Sequence, residues 1–248
     1  MRAKSALTLL ILLCLVPWIT IHAQTPDSSK NVLTLDIHYG AGLPFSDLKE
    51  RFGEHFMLGG NITYLSKSNL MAGINYDFIF GSQVHEDVLS NLRTIEGGII
   101  GRSMEFASVY LRERGHHLNA EAGYFFSIEK NSSISGFFIL GGVGYLRHKV
   151  RIVDEFNAVV QLFDPYDRGY DRLTGGWSIT QKVGYQFLSK DKLVNLRISA
   201  ALTEGFTKDV RKFNYNKTES KSSRTDILAS LQIAWIVPIY LTKEIRYY

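Results

Sequence analysis

The sequence is short of several things at once, and each shortage removes a class of protein. It has one cysteine, Cys14, and only 5 Pro in 248 residues. A single thiol excludes a disulfide-stapled scaffold and any thiolate metal centre. The basic excess is slight, 28 Lys and Arg against 24 Asp and Glu, and the bases form no dense run. Nucleic acid is therefore not an expected partner. After the first two dozen residues no window holds 18 consecutive apolar residues, so no membrane-spanning helix is expected. What is present is a hydrophobic fraction of 45% with 12% aromatics, far too much for a disordered chain.

Arg2 and Lys4 precede an apolar run from Ala6 to Ile21, and Ile21-His22-Ala23 before Gln24 has the small-residue pattern of a signal-peptidase site. Residues 1–23 are read as a secretory signal peptide and 24–31 as a short polar lead-in. Cys14 leaves with the leader, so the chain would cross an oxidising compartment without a thiol. A lipoprotein signal would need small residues before Cys14, where Leu12 and Leu13 stand.

From residue 32 to 240 the dominant signal is alternation. Leu33, Leu35, Ile37, Tyr39 and Ala41 share one face while Thr34, Asp36, His38, Gly40 and Gly42 share the other. The same pattern returns around Leu58–Tyr64, Leu70–Phe80, Leu118–Phe126, Phe137–Tyr145, Trp177–Phe187, Val194–Leu202 and Ile227–Val237, which makes eight segments. The connections 66–69, 129–133 and 189–192 are short, whereas 44–55, 82–108, 146–174 and 207–224 are long. Short turns on one side and long loops on the other, with an apolar face fit for hydrocarbon, predict an all-β chain: an eight-stranded antiparallel up-and-down transmembrane β-barrel. A soluble sandwich or lipocalin-like barrel would turn its apolar face inward and need not alternate its loop lengths. Aromatics agree, since Tyr64, Tyr124, Phe126, Tyr185, Phe187 and Tyr240 gather at one set of strand ends and Tyr39, Phe78, Phe80, Tyr145 and Trp177 at the other.

The leader ending in Ala-Gln, the eight segments, and the run Trp235-Ile236-Val237-Pro238-Ile239-Tyr240 before a tail at 241–248 ending in Tyr247-Tyr248 resemble small outer-membrane barrels of Bacteroidota-type bacteria. The whole mature chain is similar to barrel domains of the OmpA and OmpX kind, and Arg112-Glu113-Arg114-Gly115 and Tyr170-Asp171-Arg172-Leu173-Thr174-Gly175 also look like features of such barrels. The resemblance implies a cell outer-membrane location. It implies no catalytic activity.

An eight-stranded barrel has room inside for little beyond its own side chains. Asp36, His38, Asp77, Glu121, Lys182 and Arg197 fall on the lumen face, together with Asn75, Asn119, Gln186 and Asn195. Buried charges must pair, so a satisfied polar plug is expected, with a narrow conduit as the alternative. A lipid A modifying enzyme would need His beside Ser at the membrane edge. His85, His116 and His117 lie near Ser82, Ser90, Ser103 and Ser108 in sequence, but no spacing brings them together, and no catalytic, cofactor or metal site is assigned.

The long loops are the expected seat of function. Residues 44–52 read as a short amphipathic helix capped by Ser46 or Asp47, a lid for the barrel mouth. Loop 82–108 carries Leu89, Leu92, Ile95, Ile99 and Ile100 and should pack on something. Tyr166, Arg168, Tyr170 and Arg172, with Lys208, Arg211 and Lys212, form the candidate interaction surface. The expected partners are outer-membrane lipid and lipopolysaccharide, with other outer-membrane proteins as a further class and a structural or interactive role overall.

Overall fold

A computed structural model describes residues 31–128, 135–188, 195–211, 213–215 and 223–241. The proposed signal peptide, two of the three short turns and most of the tail lie outside the described residues. Eight strands follow one another: β1 (Val32–Phe45), β2 (His55–Leu65), β3 (Leu70–Gly81), β4 (Val109–Ser127), β5 (Gly136–Asp154), β6 (Thr174–Leu188), β7 (Asn195–Asp209) and β8 (Arg224–Tyr240). A single turn of helix, α1 (Ser46–Arg51), follows β1.

Every strand pairs antiparallel with its neighbours in sequence, and β1 closes the ring against β8 from Val32 opposite Tyr240 to Phe45 opposite Ile227. Closure leaves no edge strand with unpaired backbone groups. The period of two then sorts the side chains. On β1, Thr34, Asp36 and His38 are buried while Leu35, Ile37 and Tyr39 are exposed, Ile37 by 72%. The outside is a continuous apolar wall that includes Ile62, Ile74, Leu118, Val143, Val183, Ile198 and Leu231. Aromatic pairs edge this wall: Tyr39 on Phe56, Phe78 on Phe80 and Tyr145 against Trp177 on the loop side, Tyr124 against Phe126 and Phe137 against Tyr185 on the other. Such a surface is inverted relative to a water-soluble protein and matches a hydrocarbon solvent.

β4 and β5 run for 19 residues each, longer than a tilted strand needs to cross hydrocarbon, so their hairpin rises above the wall. Inside it the loops fold inward. Leu48 and Phe52 from the α1 segment join Val88, Leu89, Ile99, Val159, Leu162 and Tyr170 in a buried cluster that rests on Met57, Ile79, Leu146, Val150 and Leu228 of the strands. Burial of α1 over the mouth matches the lid expectation. Its capping does not: the residue at the helix start is Phe45, with no side-chain cap. Ser46 turns the chain out of β1 with φ of 54°, and Asp47 instead accepts the Thr225 backbone N–H of β8 at 2.8 Å.

Candidate functional site

The lumen holds most of the titratable side chains that the alternation placed inward, and its first half is a chain of contacts between five strands. Arg197 on β7 lies 2.5 Å from Asp36 on β1 and also donates to Gln186 Oε1 at 2.6 Å. Both ring nitrogens of His38 face carboxylates, Nε2 on Asp77 at 2.7 Å and Nδ1 on Asp36 at 3.2 Å. Lys182 on β6 meets Glu121 on β4 at 2.5 Å, and Asn75 links the two groups by donating to Asp77 at 2.6 Å while facing Lys182. Arg197 also stacks over Phe138, whose neighbours Leu65, Met71, Phe125 and Leu140 floor the barrel. The structure therefore gathers Asp36, His38, Asp77, Glu121, Lys182 and Arg197 into one network. Gly59 makes room for it, since a Cβ there would sit 2.5 Å from His38 Nε2.

Sequence reasoning passed over a further arrangement. His117 Nε2 lies 3.0 Å from Ser178 Oγ, and His117 Nδ1 lies 3.6 Å from Asp77 Oδ2. The order Ser, His, Asp is that of a nucleophilic triad. All three are buried, and the cavity beside His117 and Asp77 has a volume of about 10 Å³, room for a water molecule and for no acyl substrate. A second cavity beside Asp36 and Arg197 is equally small. The set extends the polar filling.

Above this network, under the apolar lid, lies a second polar group. His148 Nε2 meets Asp226 Oδ2 at 2.8 Å, Thr207 donates to the same oxygen, and Phe52 packs edge-on against the His148 ring. His55 and Glu113 stand beside it with 3.6 Å between Nδ1 and Oε2, and neither His55 nitrogen has a hydrogen-bond partner. Glu113 was legible by parity, because it shares a face with His117 and Glu121, whereas His55, His148 and Asp226 lie where the neighbouring strands were expected to have ended.

The loops are tied to one another by ion pairs. Glu86 accepts from Arg51 at 2.7 Å and lies 2.9 Å from Arg172, and Arg51 also donates to Thr174 Oγ1. Burial pulls the Arg51 guanidinium below its usual range, opposed by the Glu86 charge. Arg211 grips Asp171 through two bonds of 2.7 and 2.6 Å, and that carboxylate holds Arg211 above its usual value. Tyr166 is exposed, Arg168 makes only an exposed pair with Asp164, and Lys208 points outward from β7. Tyr170 and Arg172 correct the expectation of a surface role: they are 5% and 8% exposed, because the loop turns them down onto the apolar lid and Glu86. Lys212 lies outside the described residues. Leu89 and Ile99 pack inward as expected, whereas Ile95 and Ile100 are fully and half exposed.

A closed ring of eight strands with an apolar outer wall, aromatic borders and a paired polar interior defines a small transmembrane β-barrel of the outer-membrane type. Solved structures similar to it are Neisserial surface protein A (10% identity, 84% of this chain and 96% of that one, TM-score 0.45), Ail of Yersinia pestis (10%, 84% and 99%, 0.41) and OprG of Pseudomonas aeruginosa (9%, 86% and 98%, 0.39). No protein-family model and no curated protein matches the chain. The barrel assignment stands on the chain's own register and on its inverted outer surface.

Proposed function

We propose that this chain is a non-catalytic, non-conducting barrel of the cell outer membrane, whose role is to hold a folded set of external loops for contact with other envelope components. The observation that carries this reading is that, among the described residues, the lumen is filled at two levels, by the ion-paired network and by the apolar lid above it, and the cavities beside Asp77 and Asp36 hold about 10 Å³ each. Side chains so placed support a barrel that passes no hydrated ion, and burial of the Ser178–His117–Asp77 set supports a role without lipid chemistry. The exposed loop residues Ile95, Ile100, Met104, Phe106 and Phe156 support contact with a partner outer-membrane protein, since they leave apolar surface uncovered at the loop tips. The loops 82–108 and 146–174 present them together, joined where Arg102 donates to the backbone of Asn157 and Ala158.

Reconstitution in a planar bilayer tests the reading. The intact chain is expected to give no unitary current at physiological salt, and stepwise conductance would replace the scaffold by a channel. Unchanged lipid A acylation in a deletion strain is the matching expectation for a chain without catalysis.

A further inference from the structure

The outward face of the β4–β5 hairpin carries six basic side chains in cross-strand register: His116 opposite Arg147, Arg114 opposite Lys149, and Arg112 opposite Arg151. Their inward-facing neighbours Glu113, His117, His148 and Val150 are buried, so the alternation turns all six to the outside. Like charges directly opposite each other destabilise a sheet, and the two successive rungs Arg114–Lys149 and Arg112–Arg151 are the reverse of ordinary cross-strand pairing. Internal relief is sparse. Lys149 is 3.8 Å from Asp171, which Arg211 already grips, and Arg114 donates to the backbone carbonyl of Glu113. His116 faces the Tyr76 hydroxyl at 2.7 Å. Among the described residues no carboxylate stands within ion-pairing reach of Arg112, Arg114, Arg147 or Arg151. On β7, Lys208 extends the lowest rung, with only Gly175 between it and Arg147 in the register.

The height of the ladder says what anion would relieve it. Arg147 follows Tyr145 by two residues on β5, and Tyr145 packs against Trp177 in the aromatic border. Two residues are about 7 Å of strand, or roughly 5 Å of height at barrel tilt. The charges thus begin where hydrocarbon ends and continue upward through the headgroup layer. The one loop carboxylate that reaches the ladder among the described residues is Asp171, at Lys149; a lipid phosphate is held at the depth of the lower rungs.

We propose that the outward face of the β4–β5 hairpin is a binding site for the phosphorylated headgroup of an outer-leaflet glycolipid. Its phosphates sit between opposed bases, where the planar Arg guanidinium groups grip them through paired hydrogen bonds. Its acyl chains lie along Leu118, Val143 and Tyr145 below. The site rests on the membrane placement proposed above.

The test uses the full barrel in nanodiscs of neutral lipid, titrated with diphosphoryl lipid A and followed by native mass spectrometry. Substituting Arg112→Gln, Arg114→Gln, Arg147→Gln and Lys149→Gln together is expected to weaken binding on the order of a hundredfold and to flatten its salt dependence. A second variant separates binding from folding. Arg114→Glu creates an opposite-charge rung with Lys149, so it should raise the unfolding temperature in neutral detergent while weakening lipid A binding. Equal binding of wild type and the fourfold variant, or equal binding of lipid A stripped of phosphate, overturns the proposal. So does millimolar inorganic phosphate that displaces lipid A completely, which would make the ladder a free-anion site. A barrel that inserts into vesicles but shows any of these results loses the glycolipid site alone. A chain that fails to insert loses the membrane reading as well.

Discussion

Around Asp36, His38, Asp77, Glu121, Lys182 and Arg197 the barrel is filled by strand side chains whose charges meet at hydrogen-bond distance. Toward the loops the filling comes instead from Phe52, Leu89, Val159 and Leu162, and the polar groups beneath them are unevenly served: His148 and Asp226 pair, but both nitrogens of His55 and an oxygen of Glu113 lack partners. The difference follows from supply. In the first region every filler is an alternate residue of a strand fixed in register, so donors and acceptors face each other across a known distance. In the second, loops bring large apolar side chains that exclude water from polar neighbours without bonding to them. The first region should accordingly be intolerant of single polar deletions, and the second should be tolerant of them at His55 and Glu113 but sensitive to loss of apolar bulk.

The largest effect expected from that contrast is at Asp36. Replacing Asp36 by Ala strands Arg197, 4% exposed, without its ion-pair partner, and breaking a buried pair from one side costs about 3–5 kcal/mol. Urea unfolding of the reconstituted barrel, read by loss of the fast-migrating folded band on a gel, should show it. A shift under 1 kcal/mol would mean that the lumen pairs are not what organises this half.

In the lid, Phe52→Ala removes a side chain that is 0% exposed from the apolar cluster and should cost about 3 kcal/mol of local stability. The consequence is confined to the loops, because no strand ladder passes through Phe52 beyond its single bridge to Val84. Limited proteolysis between residues 82 and 108 should accelerate strongly while the unfolding midpoint of the barrel moves little. Equal loss in both readouts would make the two regions one cooperative unit.

These regions were unequally legible beforehand, for a physical reason. Strand faces obey a period of two, and lipid outside makes the apolar set unmistakable, so Asp36, His38, Asp77, Glu121, Lys182 and Arg197 could be placed inward from sequence and do converge. No period governs a loop. Tyr170 and Arg172 look like a recognition surface in sequence, yet one packs edge-on against Tyr215 and the other faces Glu86. The stretches 109–116 and 146–154 fell between the two regimes: their alternation continues above the membrane, where an outward Arg is as acceptable as an outward Leu. Parity alone therefore does not separate the basic ladder from a solvated rim, and the stretch 146–154, with His148, reads as part of a long connection in sequence.

A smaller effect is expected where the loops are tied together. Arg211→Ala removes two bonds to the buried Asp171, but the guanidinium is itself a quarter exposed and Lys149 remains nearby. A loss of about 1 kcal/mol is expected, seen as faster hydrogen exchange at Val150, whose backbone donates to the Asp171 carbonyl. Exchange unchanged there would place the anchor of that loop in Tyr170 and Leu162.

The smallest effect has the opposite sign. His55 and Glu113 are each about 1% exposed, lie 3.6 Å apart, and have the unsatisfied atoms described above. Desolvating such groups costs free energy that their weak mutual contact does not recover. Replacing both together, His55→Leu with Glu113→Leu, removes that cost and adds apolar contact with the lid. The leucine at 55 is no larger than the ring it replaces, which matters because Gly42 already approaches His55 so closely that a Cβ there would lie within van der Waals contact of Nε2. The unfolding midpoint should rise by up to about 1 kcal/mol equivalent, whereas Glu113→Leu alone should gain less because it leaves His55 in place. A fall of the double variant would show that the pair itself stabilises the ring beneath the lid, whereas a rise marks His55 and Glu113 as groups kept there at a cost to folding.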